Sequence, residues 1–591
     1  MKKIKSIWNI LTKKEKININ LLIVLMLFGG FLEIIGIGAI IPIIGLIASP
    51  ELIKNNPAMT IFIDFLGNPN DIYLLIYLLM VFLIFVILKN IFSLFVIKKT
   101  NTVTFNHRQR IATLIFNNFL NMNYTKYINN NSSYYINIIL KDIPSYDVAL
   151  RSAMSLLTNI IICISISLFL IIREPIAFFS IFILLGSSLY FLEKYYREII
   201  TKLGKSSQVA HLSALKTMQE SLNAIKEIII TNSRKYFSGY FNQQYNMYVD
   251  SFIKWSTIQK LPRYFSEIVI VVGLNILVII YIIIETSMPS MLISLGLFAF
   301  AAMRIMPAAV GIMSGFQAVG FSLAGIDQVL LVIGQLIPNK ENKYQFSDSK
   351  ILAPIKKIEL KKINYRYPNT DKIILNNITI SLIKGESFGI VGESGAGKTT
   401  LINIILGLIL PNTGSVMING ESNINDDING WRKNIGYVPQ SIYLLDDTIR
   451  KNIAFGIPNE KIVDYKINKA IKLAQLEKLV DELPEGINTF VGERGNKIST
   501  GQLQRIGIAR ALYNDPEILI LDEATSSLDI KTEANVMKDV SQLKGEKTLV
   551  IITHRFSTLD NCDKIYQLSN GKLKKVIIGD ENKSLNMKLV Q

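Results

Sequence analysis

The sequence contains few cysteines and histidines, the residues that form disulfides or ligate transition metals. It contains two cysteines, Cys163 and Cys562, and only three histidines in 591 residues. Two thiols far apart in the chain argue against both a disulfide framework and a cysteine metal cluster. Of the histidines, His107 and His211 fall in polar helical stretches, where we expect solvent-exposed side chains.

The N-terminus lacks the features of a secretory signal. Its first residues, MKKIKSIWNILTKKEK, contain neither a long apolar run nor a cleavage site of small residues. Lysines interrupted by a few apolar residues instead predict an amphipathic segment at the inner membrane surface, over residues 1–18. Because only these 18 residues precede the first apolar run, we expect no peptidase domain before it.

Apolar residues are abundant, and this indicates a membrane protein. They make up 50% of the chain, and the mean hydropathy is +0.34. The length of 591 residues predicts at least two domains. The net charge of +17 is compatible with nucleic-acid binding, but lysine and arginine also accumulate at the cytoplasmic side of membrane proteins. We favour the membrane interpretation and expect no nucleic-acid partner.

Apolar runs predict six membrane spans. They cover residues 19–48, 72–97, 156–172 and 176–192, with a fifth span starting near 262 and a sixth ending near 313. Basic residues crowd the N-terminus and the long polar excursions, whereas the outer loops hold little beyond Lys54 and Arg173, so both termini are predicted to be cytoplasmic. The short apolar segment 59–66 predicts either a helix on the outer surface or a buried hairpin tip.

These patterns give a fold class and domain boundaries. The class of the N-terminal part is an all-α membrane region of six helices with long cytoplasmic extensions, fused to a soluble domain. The predicted domains are an N-terminal segment at 1–18, a transmembrane domain at 19–315, a linker at 316–355 and the soluble domain at 356–591.

A glycine-rich stretch after an apolar, strand-like run predicts a phosphate-binding loop. Glycines allow consecutive backbone amides to surround phosphates, the lysine reaches the β- and γ-phosphates, and the hydroxyl after it ligates Mg²⁺. A phosphate loop occurs in ATPases and in GTPases, so the soluble domain at 356–591 is predicted to be an α/β P-loop nucleotide-binding domain that takes a nucleoside triphosphate and Mg²⁺ as cofactors. The residues of the loop are Gly392, Glu393, Ser394, Gly395, Ala396, Gly397, Lys398, Thr399 and Thr400.

Four further elements follow the loop along the chain. A buried strand ends in Asp522, suited to Mg²⁺, and in Glu523, suited to polarising the attacking water. Gln440 lies on a loop from which it can sense metal or water, and His554 follows another strand and can bind the γ-phosphate. The segment ISTGQ at 498–502, with Ser499, Gly501 and Gln502, opens a helix whose N-terminus can contact phosphate.

Together these motifs resemble the ATP-binding-cassette (ABC) transporters, and in particular exporters that fuse six spans to one nucleotide-binding domain. The resemblance implies that Tyr367 stacks on adenine, that Gln440 contributes to the metal site and that Asp529 belongs to the D-loop. It also implies that Ser499 contacts the ATP bound by another copy of the chain, so that two chains enclose two ATP molecules. The alternative for Tyr367 is that it is only an aromatic residue at the edge of a strand and does not stack on adenine.

One position departs from the family pattern. The signature usually reads LSGGQ, but here Thr500 replaces the first of the two glycines. Its side chain crowds the approach to phosphate, which would slow hydrolysis or indicate pairing with a different half-transporter. Because Glu523 and His554 are both present, we favour a homodimer and retain the heterodimer as the alternative.

Three cations within the predicted spans suggest a substrate site, since charges in hydrocarbon are costly. Lys89, Arg263 and Arg304 are all predicted to lie towards the cytoplasmic leaflet. They either extend to the inner headgroups or form a collar that binds an anionic group such as a lipid phosphate. Glu33 and Glu267 alternatively neutralise part of this charge.

The membrane half resembles bacterial lipid-linked oligosaccharide flippases. The similar segments are FLNMNYTKY at 119–127, LPR at 261–263 and MRIMP at 303–307. The resemblance implies a bacterial inner-membrane protein that moves a polyprenyl-diphosphate oligosaccharide across the bilayer, with membrane lipid and an anionic lipid-linked substrate as partners. The alternative is an exporter of a peptide or a hydrophobic drug.

Overall fold

A computed structural model gives the fold in two compact units. It describes residues 2–48, 50–51, 57–128, 131–284, 288–336, 354–368, 370–492, 495–524, 530–554, 559, 562–578 and 587–589. The first unit comprises Met1–Met122 and Ile128–Lys343, and the second comprises Asn123–Tyr127 and Tyr344–Gln591.

The described part of the first unit is helical. Its helices are α1 Lys2–Ile10, α2 Lys13–Gly38, α3 Ile40–Ala48, α4 Pro57–Phe65, α5 Asp71–Leu120, α7 Ser132–Asn137, α8 Ile143–Arg173, α9 Pro175–Asn223, α10 Ile225–Ile230, α11 Arg234–Ile283 and α12 Met288–Leu336, with a π-helical turn at Ile138–Asp142. Helix α6, Tyr124–Ile128, belongs to the second unit except for its last residue, Ile128. The last long helix, α12, contains the first residues of the predicted linker, of which 337–353 lie outside the described residues.

Five helical stretches are long and apolar enough to cross a membrane among the described residues: Lys13–Ala48, Asp71–Leu120, Ser132–Arg173, Arg234–Ile283 and Ser290–Gly334. They contain five of the six predicted spans. The remaining one, 176–192, lies at the start of the 49-residue helix α9, some of whose side chains are outside the described set. The short apolar segment 59–66 falls largely within the separate helix α4.

A polar network ties the start of α2 to α5. Thr12 and Glu15 form a capping box at the N-terminus of α2. The Glu15 carboxylate also accepts hydrogen bonds of 2.9 Å from Nε and Nη2 of Arg110, and lies 2.9 Å from Nδ1 of His107. On the other side of the ring, His107 Nε2 lies 3.1 Å from the hydroxyl of buried Tyr146.

The expectation of exposed histidines is wrong. His107 is 1% exposed, because it faces Glu15 and Tyr146 on neighbouring helices rather than solvent. His211 is partly buried, and its Nδ1 lies 3.1 Å from Oδ1 of Asn137. In both cases the polar helix face packs against another helix that also carries polar groups.

The described residues of the second unit form two sheets. Its strands are β1 Lys357–Arg366, β2 Ile373–Ile383, β3 Ser387–Val391, β4 Thr413–Ile418, β5 Ser422–Asn423, β6 Ile435–Val438, β7 Ile518–Asp522, β8 Thr548–Ile552, β9 Lys564–Ser569, β10 Lys572–Ile578 and β11 Met587–Leu589. Its remaining α-helices are α13 Lys398–Ile405, α14 Ile428–Lys433, α15 Ile449–Ile453, α16 Asp464–Leu473, α17 Glu477–Glu482, α18 Thr500–Leu512 and α19 Ile530–Gln542.

The larger sheet brings the predicted motifs to one edge. Its strand order is β11-β10-β9-β3-β8-β7-β6, and β9, β3, β8, β7 and β6 pair in parallel. The central strands β3, β7 and β8 are buried along their whole length, as apolar runs covered on both faces should be. Parallel strands end at the same edge, where α/β proteins bind their ligands. The loops after β3, β6, β7 and β8 therefore meet there.

Replacing Glu15 with glutamine should destabilise the first unit. The neutral amide weakens the contacts to Arg110 and His107, and hydrogen bonds to charged groups contribute about 1.5–3 kcal/mol each. We expect the midpoint of thermal unfolding of the full chain in detergent to fall by roughly 2–6 °C. As a control, Glu220→Gln should leave it unchanged, because Glu220 and its partner Lys216 are each 55% exposed. Equal midpoints for the two variants would contradict the role given to Glu15.

Candidate functional sites

The phosphate loop connects the buried strand β3 to helix α13. Gly397 caps the helix with a φ of 104°, a left-handed conformation that favours glycine. At Gly392 a side chain would collide with the backbone carbonyl of Leu568. Both glycines are thus required by the backbone path. Between them the loop residues Glu393, Ser394 and Gly395 are exposed, as a phosphate-binding surface requires.

Lys398 lies along the loop. Its ammonium donates to the carbonyls of Gly392 at 2.6 Å and Glu393 at 3.1 Å, and lies 3.9 Å from Oε1 of Glu523. The positive charge is therefore held at the place where the loop amides and the N-terminus of α13 attract an anion.

Two threonines follow the lysine and differ in environment. The Thr399 side chain is exposed at the loop, as a metal-ligating hydroxyl must be. Thr400 is buried, and its hydroxyl lies 3.1 Å from that of Tyr367. Tyr367 is 36% exposed and its ring meets Tyr365 edge-on at 5.1 Å. This leaves part of the Tyr367 ring open, so its predicted stacking on adenine stays a prediction. Ala396, the remaining loop residue, packs against the core below.

Glu523 is the centre of the polar site. Its carboxylate accepts a 2.8 Å hydrogen bond from Nε2 of Gln440 and lies 3.6 Å from Nδ1 of His554. With Lys398, three predicted side chains therefore surround one carboxylate. The backbone of Glu523 has a φ of 49°, which is uncommon for a non-glycine residue, and its amide donates to the Ile552 carbonyl at 2.8 Å.

Asp522 lies beside this centre and is only 7% exposed. Burial raises the pKa of its carboxyl, and the nearby negative charge of Glu523 adds to this effect. The hydroxyl of Tyr437 donates to Oδ2 of Asp522 at 3.4 Å, and burial raises the pKa of that phenol as well. Sequence reasoning missed Tyr437. The available signal was its place on the strand that ends just before Gln440.

The signature segment begins helix α18. Ser499 caps the helix: its hydroxyl accepts from the Gln502 amide at 3.3 Å, and its own amide donates to Gln502 Oε1 at 2.9 Å. Ser499 and Thr500 are exposed and Gly501 is half-buried. The segment is thus available to a group approaching the helix N-terminus, although its described hydrogen bonds remain within the segment itself. Asp529 lies outside the described residues.

The oxygen atoms at this edge of the sheet suit Mg²⁺ bound together with a nucleotide. Among the described residues no group of three or more histidine, cysteine, aspartate or glutamate side chains could hold a metal ion. Mg²⁺ bound with a nucleotide, however, needs only one or two protein ligands in addition to phosphate oxygens and water. Thr399, Asp522 and Gln440 offer oxygen atoms at this edge of the sheet, so the residues fit the ion.

Two of the three membrane cations share a carboxylate. Lys89 of α5 is 4% exposed and donates to Oε1 of Glu33, on α2, at 2.7 Å. Arg304 of α12 is 33% exposed, and its Nε lies 3.9 Å from Oε2 of the same glutamate. The sequence expectation that Glu33 neutralises part of the charge is confirmed.

Arg263 is not part of this cluster in the described portion of the chain. Its side chain on α11 is exposed, and it has no ion pair with Glu267, which is also exposed. Of the two glutamates expected to neutralise part of the charge, only Glu33 pairs with any of the three cations among the described residues.

The loop, the strand-end carboxylates and the long apolar helices define a P-loop nucleotide-binding domain joined to a multi-pass membrane region. Residues 375–526 match the family model described as ABC transporter. The ATP-dependent lipid A-core flippase of Saccharophagus degradans is 32% identical over 402 residues, which cover 68% of this chain and 66% of the relative. The chain belongs to the ABC transporters, and within them to exporters with fused membrane and nucleotide-binding domains.

Other comparisons agree with this assignment. The toxin RTX-I translocation ATP-binding protein of Actinobacillus pleuropneumoniae is 41% identical over 263 residues, covering 44% of this chain and 35% of the relative. A solved structure of a bacterial Atm1-family ABC exporter with ATP bound superimposes with a TM-score of 0.70 and covers 93% of this chain and 94% of that one. At 20% identity, this likeness shows the fold alone.

Replacing Tyr437 with phenylalanine should weaken the use of Mg²⁺. The variant loses a hydrogen bond that orients Asp522, and such bonds contribute about 0.5–1.5 kcal/mol. In ATPase assays of the full chain, we expect the Mg²⁺ concentration for half-maximal activity to rise by about 2- to 10-fold. Tyr443→Phe is the matched control, since Tyr443 is 61% exposed. The same Mg²⁺ dependence in both variants would refute an orienting role.

Proposed function

We propose that the chain forms a homodimer that hydrolyses ATP to move a lipid-linked oligosaccharide, carried on polyprenyl diphosphate, across the bacterial inner membrane. The observation that carries the choice of substrate is the net positive cluster of Lys89, Glu33 and Arg304 within membrane-length helices. Lysine and arginine concentrate at the N-terminus and in the long polar stretches between the apolar runs, which supports cytoplasmic termini and a cytoplasmic ATPase domain.

ATP hydrolysis is assigned to the residues around Glu523. Glu523 polarises the attacking water, and Lys398 and His554 stabilise the charge of the transferred phosphoryl group. Mg²⁺, held through Thr399 and Asp522 and sensed by Gln440, neutralises charge on the phosphates. The distances of 2.8–3.9 Å between Glu523 and its three neighbours support these roles.

The signature segment supports the proposed dimer. Ser499 and the N-terminus of α18 are exposed, and they suit an anion that comes from outside the segment. In the proposed dimer, this anion is the γ-phosphate of ATP bound to the loop of the other copy. ATP binding then closes the dimer, and hydrolysis opens it again.

The substrate is argued from charge. An ion inside hydrocarbon is stable only when paired, bound to substrate or in contact with water. Two cations share one glutamate here, so the cluster retains one positive charge that an anionic headgroup can neutralise. A diphosphate on a lipid supplies that anion while its tail remains in the bilayer. One relative is named as a flippase of lipid A-core, which favours a lipid over the peptide or drug alternative.

Glu523→Gln should abolish ATP turnover without abolishing ATP binding. Glutamine retains the shape of the side chain but cannot polarise water as a carboxylate does, so we expect the ATPase rate to fall by at least about 100-fold. The variant should also accumulate as a closed dimer with ATP, measured by cross-linking or by size in detergent. Glu546→Gln, in a solvent-exposed turn, serves as the control. Substantial residual hydrolysis would contradict the assigned role.

Transport in proteoliposomes tests the substrate. A polyprenyl-diphosphate oligosaccharide should stimulate the ATPase activity of the purified protein and should be moved across the bilayer. Hydrophobic peptides and dyes should neither stimulate the ATPase activity nor be transported. Arg304→Ala should reduce this transport by at least about 10-fold, because an ion pair of the substrate is lost. Transport of peptides or dyes, with no effect of the glycolipid, would instead establish the alternative exporter.

A further inference from the structure

The two cations that share Glu33 are held very differently. Lys89 donates to Glu33 at 2.7 Å, and the two side chains are 4% and 12% exposed, so this pair is short and largely buried. Arg304 lies 3.9 Å from the other oxygen of the carboxylate and is 33% exposed. That separation is beyond hydrogen-bonding distance for Arg304 Nε. The remaining described contact of the guanidinium is the Phe300 ring, whose centroid lies 5.8 Å away.

We propose that Glu33 is a built-in competitor for the substrate: it holds Arg304 weakly until an anionic lipid headgroup displaces it, and it takes Arg304 back on release. The inference rests on the proposed function in one respect, namely that an anionic lipid is carried. It assigns different tasks to the two cations. Lys89 fixes the carboxylate in position, and Arg304 exchanges partners.

Burial explains why the exchange occurs at Arg304. Separating Lys89 from Glu33 would leave two unpaired charges in the interior of the helix bundle, which is strongly unfavourable. Moving Arg304 away from Glu33 breaks no hydrogen bond, and the carboxylate keeps its partner Lys89. Arginine also suits the incoming group, because its planar guanidinium donates two parallel hydrogen bonds to a phosphate.

The arrangement suits a transporter. A bare arginine in a low-dielectric site would bind a diphosphate tightly and delay its release. A carboxylate within 4 Å lowers the net attraction and offers the arginine another partner when the headgroup leaves. Glu33 therefore sets the affinity for the anion without contacting it.

The experiment measures ATPase stimulation by farnesyl diphosphate, with neutral farnesol as the matched control compound. Glu33→Gln alone would leave Lys89 buried without a counter-ion, so the competitor is removed in the double variant Glu33→Gln/Lys89→Met, which deletes the buried pair as a unit. We expect the half-saturating concentration of farnesyl diphosphate to fall by about 3- to 10-fold in this variant, because Arg304 is then free of competition. The thermal unfolding midpoint of each variant checks its folding.

A second pair of variants shows whether the gain acts through Arg304. Arg304→Gln alone should raise the half-saturating concentration by at least about 10-fold. Adding Arg304→Gln to the double variant should eliminate the gain in affinity. Farnesol should give no stimulation in any of these proteins.

The outcomes separate the two proposals. If farnesyl diphosphate stimulates the unmodified protein and Arg304→Gln prevents this, but the double variant has unchanged or weaker affinity, the competitor role of Glu33 is refuted and the proposed substrate class stands. If farnesyl diphosphate acts no differently from farnesol on the unmodified protein, both proposals are refuted.

Discussion

The nucleotide site depends on the carboxylate of Glu523. Gln440, His554 and Lys398 come from three other segments of the chain, and each lies within 4 Å of this one group. We expect ATP to change the contacts of Glu523, because the phosphates compete with its carboxylate for the ammonium of Lys398. Glu523 would then retain Gln440 and His554, and its charge would be directed at water rather than at lysine. The backbone of Glu523 has a φ of 49°, in the left-handed region that non-glycine residues rarely adopt, and such conformations cluster at functional sites.

The sequence predicted the parts of this site that are local. The phosphate loop and the strand-end carboxylates are recognisable because each motif contains both its chemical groups and the strand or helix that positions them. The contact between Tyr437 and Asp522 could not be predicted in this way. It depends on the register of β6 beside β7, which joins residues 85 positions apart. His107 was misjudged for the same reason, since its partner Glu15 is 92 residues away.

In the membrane region, residue types identify the unusual charges but do not predict how each one is packed. Charges in apolar helices marked Lys89 and Arg304 as unusual, and that inference required no structure. Their difference in environment comes from packing: the shared glutamate contacts Lys89 at 2.7 Å and Arg304 at 3.9 Å. Arg263 carries the same charge yet is exposed and outside the cluster. Three cations that are equivalent in the sequence therefore differ in the structure: one is buried in an ion pair, one is partly exposed and one is exposed.

Thr500 affects the approach of a phosphate to the signature segment rather than the fold of the domain. It is the first residue of α18, where a helical backbone accepts threonine, so the substitution for glycine does not disturb the fold. Its side chain is exposed beside Ser499, whose hydroxyl already accepts from the Gln502 amide. An incoming phosphate must therefore pass the threonine side chain and compete with the helix cap. In the proposed dimer, both effects weaken the contact with ATP bound to the other copy. Thr500 would then disfavour closure of the dimer and leave the stability of its own domain unchanged.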